Sequence, residues 1–336
     1  MEYRVLVLTD HKGHSAENSL YALLQHLARH ASVQLVDWAS RSYSINDSFF
    51  SGNQMQEIHV STVDQEFSFE SAQHINEDEL RIVDTANYDF IFLRLPRPVS
   101  DDYLIALSDY FQGKCIVNHP HGIVETSNKS FLPQFAHLTV PMRVCRSVQE
   151  VREFAENREI VLKPLREYGG KGLMRMNGEK AWMGDEFIST DQLLQDIEST
   201  LLEDGYLAME FLPNVTQGDK RLLVVDGEIM AASLRLPKEG SWLCNVAQGG
   251  QSVPAEPEPE EIEMIQQIRP ILHEKGIFIY GVDTLVDNQG KRVLSEINTL
   301  SIGGFPQAEK QTGLPILSRT IDKIIDHIDS FYDKRA

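Results

Sequence analysis

The run Lys163-Pro164-Leu165-Arg166-Glu167-Tyr168-Gly169-Gly170-Lys171-Gly172 places a lysine at the end of an apolar stretch, just before a glycine-rich turn. Backbone N–H groups in such a turn can approach phosphate oxygens closely because no Cβ intervenes, and the lysine adds a point charge. Further along, Asp283 precedes Glu296-Ile297-Asn298. Residues i and i+2 of a strand face the same way, so Glu296 and Asn298 present two oxygens on one side. Asp283, expected at the end of the preceding strand, supplies a third. Three protein oxygens together with phosphate and water suit magnesium, which gives up its hydration reluctantly. Between these two groups, Arg221 and Arg235 lie on arms flanking Asp226-Gly227, a two-residue hairpin signal, with Asp219 and Lys220 just upstream. Arginines on adjacent strands can hold a carboxylate or phosphate bidentately. Taken singly, each group has a plain structural reading: a glycine hairpin beside a surface lysine, the polar face of an edge strand, cross-strand charges on a solvated sheet. The combination, a phosphate cradle, an arginine pair and then acidic magnesium ligands in this order, arises by chance far more rarely than any one piece.

These groups need elements to position them. Val5 to Leu8 reads as a strand, Ser15 as the cap of a helix carrying Leu20, Leu23, Leu24 and Leu27, and Val33 to Val36 as the next strand. Strand, helix, strand at this spacing is a βαβ unit and implies a parallel sheet. Residues 40–80 are weakly patterned and receive no assignment. Phe90–Leu93 and Cys115–Val117 read as further buried strands with a helix over 101–111 between them. The turn formers Asn118-His119-Pro120-His121-Gly122 close a first domain near residue 120. Beyond it, Glu159–Lys163, Tyr206–Leu212, Arg221–Val225, Glu228–Leu236, Ile277–Tyr280 and Arg292–Ile297 read as strands. The stretch from Val253 to Ile262 reads as a solvated loop before a helix carrying Ile262, Ile265, Ile268 and Leu272, with a kink at Pro270. A last helix carries Leu317, Ile321, Ile324, Ile325, Ile328 and Phe331. The expected plan is α/β first and α+β after it.

Composition bounds the partners. The chain has 336 residues, 42% apolar and 24% charged, the balance of a globular protein with room for more than one core. Its 31 Lys and Arg against 50 Asp and Glu leave a net charge of −19, which argues against a nucleic-acid backbone or an anionic membrane as partner. Cys115, Cys145 and Cys244 are odd in number and widely spaced. They form no disulfide framework or Cys-x-x-Cys metal site and fit a reducing compartment. The start shows no secretory segment, and no run reaches the roughly 20 apolar residues of a membrane span. A cytoplasmic enzyme or binding protein is expected.

The dehydrogenase-type Gly-x-Gly-x-x-Gly, the Gly-x-x-x-x-Gly-Lys-Ser/Thr phosphate loop, Gly-x-Ser-x-Gly and His-Glu-x-x-His are all missing. His11 and His14 are close in sequence, in an expected loop, with no third ligand nearby. The chain instead resembles the ATP-grasp enzymes, and among them the bacterial type of glutathione synthetase. The resemblance rests on Lys163-Pro164, Met209-Glu210-Phe211-Leu212-Pro213, Gly218-Asp219-Lys220-Arg221-Leu-Leu-Val-Val-Asp226-Gly227-Glu228 and Glu296-Ile297-Asn298. It is densest from about residue 115 to 300 and extends more weakly through Arg94 and Asn118-x-Pro120.

The resemblance implies an ATP-grasp fold behind an N-terminal parallel-sheet domain. The corresponding division is 1–120, 121–212 with the glycine-rich loop, and 213–336 with the metal site. It also implies roles. Lys129 and Lys163 would contact nucleotide phosphates, and Tyr168, Gly169 and Gly170 belong to a mobile loop over them. The backbone of Glu210, Phe211 and Leu212 would meet the adenine, with Asp219 near the ribose. Arg221 and Arg235 would lie near the acceptor carboxylate and γ-phosphate, with magnesium on Asp283, Glu296 and Asn298. The implied reaction is ATP-dependent carboxylate–amine ligation through an acyl phosphate, with glutathione as product. A D-alanine–D-alanine-type ligase and a nucleotide-binding regulator without turnover are the alternatives. An oligomer is possible by analogy alone.

Three segments depart from the family pattern. Leu243 stands where a loop arginine is usual, Thr299-Leu300-Ser301-Ile302-Gly303-Gly304 follows Glu-Ile-Asn, and Arg94-Leu95-Pro96-Arg97-Pro98 replaces Arg-Lys-Asp-Pro-Pro. All three would sit around the acid substrate. Cys244 has no role in this chemistry.

Overall fold

The computed structural model describes residues 2–167, 169–184, 186–238, 242, 244 and 251–335. Three sheets follow one another along the chain. The first contains β1 (Tyr3–Thr9), β2 (Val33–Ser40), β3 (Glu57–Thr62), β4 (Arg81–Asp84), β5 (Phe90–Arg94) and β6 (Cys115–Val117), in the order β4-β3-β2-β1-β5-β6. β1 pairs in parallel with β2 and β5, and β5 with β6, whereas β3 and β4 form an antiparallel margin. The expected βαβ unit is present. Its helix, Ser19–Arg29, is capped by Asn18 rather than Ser15, the Asn18 side chain accepting from the Leu20 N–H. Leu20, Leu23, Leu24 and Leu27 are all buried, and each such leucine contributes about 1.5–3 kcal/mol relative to exposure. The unassigned stretch 40–80 supplies β3 and short helical turns.

The second sheet contains β7 (Met142–Cys145), β8 (Ile160–Pro164), β9 (Met174–Asn177), β10 (Lys180–Met183), β11 (Glu186–Ser189) and β12 (Tyr206–Glu210), in the order β11-β10-β9-β8-β12-β7. The third contains β13 (Asp219–Val225), β14 (Glu228–Leu236), β15 (Gln251–Ala255), β16 (Ile279–Val286) and β17 (Arg292–Asn298), in the order β15-β14-β13-β16-β17. Both are antiparallel throughout. The α/β-then-α+β plan therefore holds. The Asp226-Gly227 hairpin forms as expected, with φ of 49° and 74° at its two central residues.

Several local expectations are corrected. The stretch read as a solvated loop includes β15, an edge strand against β14. Glu258 and Glu261 then form a reciprocal capping box at the start of helix Pro259–Glu274, which runs through Pro270 as one element. Ile262 lies on its exposed side. Asp283 sits within β16, not at its end.

Asn118 and the residues after it do not simply close a domain. Pro120–Thr126 is a helix opened by His119 with proline in its first turn, where a missing N–H is harmless. The Asn118 side chain locks the first sheet to the third. Its Nδ2 donates to Ile279 O at 2.6 Å and Thr299 O at 2.8 Å, and its Oδ1 accepts from the N–H groups of Phe278 and Ile279. One apolar cluster accordingly runs from Tyr3 through the first sheet to the helix Ile316–Asp333.

Gly122, inside Pro120–Thr126, makes this junction possible: a Cβ there would lie 1.9 Å from the Lys275 carbonyl oxygen. Because the obstacle is backbone, Gly122→Ala is expected to destabilise the protein by about 1–3 kcal/mol. Thermal unfolding would detect this as a lowered Tm. An unchanged Tm would mean the junction can open to take a methyl group without strain.

Candidate active site

Register on the third sheet builds most of the site. Directly opposed residues of an antiparallel pair point to one face, as do i and i+2 on a strand. Asp219 opposes Arg235 across β13 and β14, Arg221 opposes Asp283 across β13 and β16, and Asp283 opposes Glu296 across β16 and β17. Asn298, two residues beyond Glu296, shares their face. One row of charged and amide side chains therefore crosses four strands. On the reverse face, Lys220 is 3% exposed and donates to Glu258 Oε1 at 2.7 Å and Glu261 Oε2 at 2.8 Å. Thr284 also reaches Glu261, so an ion-pair network anchors the sheet from behind.

Within the row, Asp283 is the hub. Arg221 grips it with Nε and with Nη2, the latter at 2.7 Å from Oδ2, and Arg235 Nη2 reaches Oδ2 at 2.9 Å. Arg235 also donates to both oxygens of Asp219, at 2.7 and 2.6 Å. Asn298 Nδ2 lies 3.4 Å from Asp283 Oδ2. Burial pushes the Asp283 carboxyl upward, but Arg221 and Arg235 outweigh it and hold the group below the ordinary aspartate range. Asp219, with a smaller share of cation, is pushed up to about 6 by burial and by the adjacent Asp283 charge.

The second sheet closes over this row. On β8, Ile160 and Leu162 face a core of their own, whereas Val161 and Lys163 face the third sheet. Lys163, 9% exposed, donates to Ser295 Oγ at 3.1 Å and Ser295 O at 3.3 Å, and burial lowers its pKa. Lys129, 7% exposed, pairs with Glu296 Oε1 at 3.2 Å and donates to the Glu167 carbonyl. Gly169, Gly170 and Gly172 have φ of 68°, 76° and 67°, the left-handed region that favours glycine.

Lys129, Lys163, Gly170, Glu210, Phe211, Leu212, Asp219, Asp283 and Glu296 all line one cavity between the two sheets. Gly169 lies beside it in the turn. Arg221, Arg235 and Asn298 reach it through Asp283 rather than lining it. Tyr168 and Leu243 lie outside the described residues. The convergence of Arg221 and Arg235 was expected on a ligand anion; here they converge on a protein carboxylate. Cys244, expected to be incidental, is buried in the cavity wall with Val161, Phe211 and Val215, and Trp242 packs alongside. Neither residue belongs to a recognisable motif, so only proximity in space identifies them.

A cationic end, a row of hard oxygen donors and an apolar slot in one cleft are what a magnesium–nucleoside triphosphate requires. Among the described residues no cluster of three His, Cys, Asp or Glu side chains is placed to hold a metal. The donor set here is two carboxylates and an amide, all oxygen donors, which fits magnesium by type.

Fold and site together define an ATP-grasp ligase. The family model for the prokaryotic glutathione synthetase ATP-grasp domain matches residues 128–313, and the chain belongs to that family. A glutathione synthetase of Prochlorococcus marinus is 32% identical over 315 residues, covering 92% of this chain and 94% of the relative. One of Agrobacterium fabrum is 30% identical over 271 residues, covering 80% and 81%. Among solved structures, a D-cycloserine synthetase superposes with a TM-score of 0.67 at 12% identity, covering 96% of this chain and 99% of that one. D-alanyl-alanine synthetase A of Vibrio cholerae gives 0.58 at 13% identity, covering 98% and 100%; at these identities the likeness concerns the fold. The chain is an ATP-dependent carbon–nitrogen ligase acting on small molecules. None of its described helices is long and apolar enough to cross a membrane.

Proposed function

We propose that this ligase joins γ-glutamylcysteine to glycine, producing glutathione, ADP and phosphate. The observation that carries the reading is the single cleft in which two buried lysines face a carboxylate–arginine row over an apolar slot. Lys129, Lys163 and the glycine turn from Gly169 to Gly172 hold the phosphates. The backbone of Glu210–Leu212 meets the adenine, and Asp219 lies at the ribose. Arg221 and Arg235 turn from Asp283 toward the substrate carboxylate and γ-phosphate. Asp283, Glu296 and Asn298 would hold magnesium, which would supply positive charge to offset that building up on the transferring phosphoryl group.

The protein supplies no nucleophile of its own. Its arginines and lysines position the substrate carboxylate against the γ-phosphate and stabilise charge there. The resulting acyl phosphate is kept from water by the glycine turn until the amine displaces phosphate. The division at about residues 120 and 212 belongs to the same reading, supported by one sheet falling in each segment. So does a cytoplasmic location, supported by three free, buried cysteines.

The test is ADP release from purified protein with γ-glutamylcysteine and glycine. ADP formed only with other acid–amine pairs, such as D-alanine, would move the specificity to a sister ligase. ATP bound without hydrolysis for any pair would make the protein a regulator.

One further consequence concerns protons. Burial disfavours the Lys163 ammonium, so its pKa is lowered in the free protein, and a triphosphate beside it raises the value again. Nucleotide binding at alkaline pH is therefore expected to take up protons. Calorimetric binding enthalpies should then vary with the buffer's ionisation heat, and Lys163→Met should remove that variation.

A further inference from the structure

In the first sheet the strand order reverses at β1, with β2 on one side and β5 on the other. Open α/β sheets take ligands in the crevice beyond the carboxyl ends of the strands at such a switch point. Here that crevice lies against the segment following β17. Arg94, at the end of β5, donates through Nη2 to Ile302 O at 2.6 Å, and Ser301 Oγ donates to Leu95 O at 2.7 Å. Ser19 Oγ accepts from Gly304 N at 2.8 Å. The loop leaving β1 is thus joined to the residues just after Glu296 and Asn298.

That loop contains a cluster the ligase chemistry does not use. His11 Nδ1 and His14 Nδ1 both reach the hydroxyl of Tyr21, at 2.7 and 3.0 Å. A phenol has one proton. It can donate to one imidazole only, so the other ring must donate its own Nδ1–H to the phenol oxygen. The two rings are thereby held in opposite tautomers: one carries Nε2–H, the other a bare Nε2 lone pair. Burial lowers both imidazole pKa values, and the Arg94 charge lowers that of His14 further, so both rings are neutral near neutral pH. Among the described residues neither Nε2 has a partner. Nearby, Arg94 is 5% exposed and its Nε is buried without a partner.

We propose that His11 and His14 form a recognition site for the free α-amino acid head of the acid substrate, the bare Nε2 accepting from its ammonium and the Nε2–H donating to its carboxylate. This rests on the reading above, in which the acid is a γ-glutamyl peptide carrying such a head at the end remote from the reacting carboxyl. Tyr21 is a positioning residue that fixes the tautomers. His11 and His14 thereby set specificity, and nucleotide binding does not depend on them.

The test compares γ-glutamylcysteine with N-glutarylcysteine, which lacks the ammonium, in the full-length protein with saturating ATP and magnesium. His14→Ala and His11→Ala are each expected to raise KM for γ-glutamylcysteine about 10- to 100-fold, with KM for ATP unchanged, and to erase the wild-type preference over the analogue. Tyr21→Phe keeps the packing but frees the tautomers, and is expected to weaken the same preference. An unchanged KM, or equal losses for both acids, overturns the proposal. A second readout does not require turnover: imidazole NMR signals of wild-type protein holding a non-hydrolysable ATP analogue. Saturable shifts of the His11 and His14 signals with γ-glutamylcysteine but not with N-glutarylcysteine support the site even if no ADP forms, in which case the substrate reading alone fails. Normal turnover with no shifts and no change in KM leaves that reading intact and removes this one.

Discussion

Glu296→Gln is expected to reduce magnesium-dependent turnover by at least about 100-fold while the protein stays folded. Glutamine has nearly the shape of glutamate, so the side chain can keep its place beside Asp283 and Asn298 on the face of β17. What it loses is the charge that would hold the metal. The fold tolerates this because the Glu296 side chain is still 20% exposed and its partner Lys129 also donates to the Glu167 carbonyl. Two measurements separate the effects: Tm should stay close to that of wild type, while the magnesium activation curve shifts to higher concentration and its plateau drops. Wild-type turnover at ordinary magnesium would remove Glu296 from the mechanism.

Arg235→Ala is expected to abolish turnover and to destabilise the protein by about 3–5 kcal/mol, because it strips the shared cation from two buried carboxylates. Among the described residues Asp219 keeps no other arginine at hydrogen-bonding distance, and Asp283 keeps only Arg221. Adding Asp219→Asn to this variant should restore much of the stability and none of the activity, which separates structural compensation from catalysis. The pH dependence has a definite sign. Asp219 already has a raised pKa of about 6, so its ionisation opposes folding. The penalty is absent below the ordinary aspartate range and complete once pH rises past about 6. Removal of Arg235 adds to that penalty, so the loss of Tm should be smaller at about pH 5 than at about pH 8. An equal loss at both values would mean that Asp219 is not the group left uncompensated.

Much of this molecule could be read before it was seen folded. Leu20, Leu23, Leu24 and Leu27 mark one face of a helix, and Asp226-Gly227 marks a hairpin, because both signals are local: a period of 3.6, and two residues that tolerate positive φ. Glu296 and Asn298 could be placed on one face for the same reason, since they lie two residues apart on one strand. What escaped was non-local. β3 and β15 are short, polar strands whose partners lie elsewhere in the chain, so their own residues give little sign of pairing. Trp242 and Cys244 line the cleft between the second and third sheets, and the sequence around them carries no pattern. The outlook for Arg221 and Arg235 changed most. Sequence placed them on adjacent strands, but only the register of β13 against β16 puts both on Asp283.

The sequence by itself determined the opening strand–helix–strand unit, the hairpin between β13 and β14 and the family, because these depend on nearest neighbours and on short motifs. Only the tertiary structure decided which side chains share a charge. The pairing of His11 and His14 on Tyr21, of Asp219 and Asp283 on Arg235, and of Asn118 with the strands of another sheet depends on register and on packing between distant segments. In a buried cleft those pairings, rather than residue type, set where protons and charges can reside.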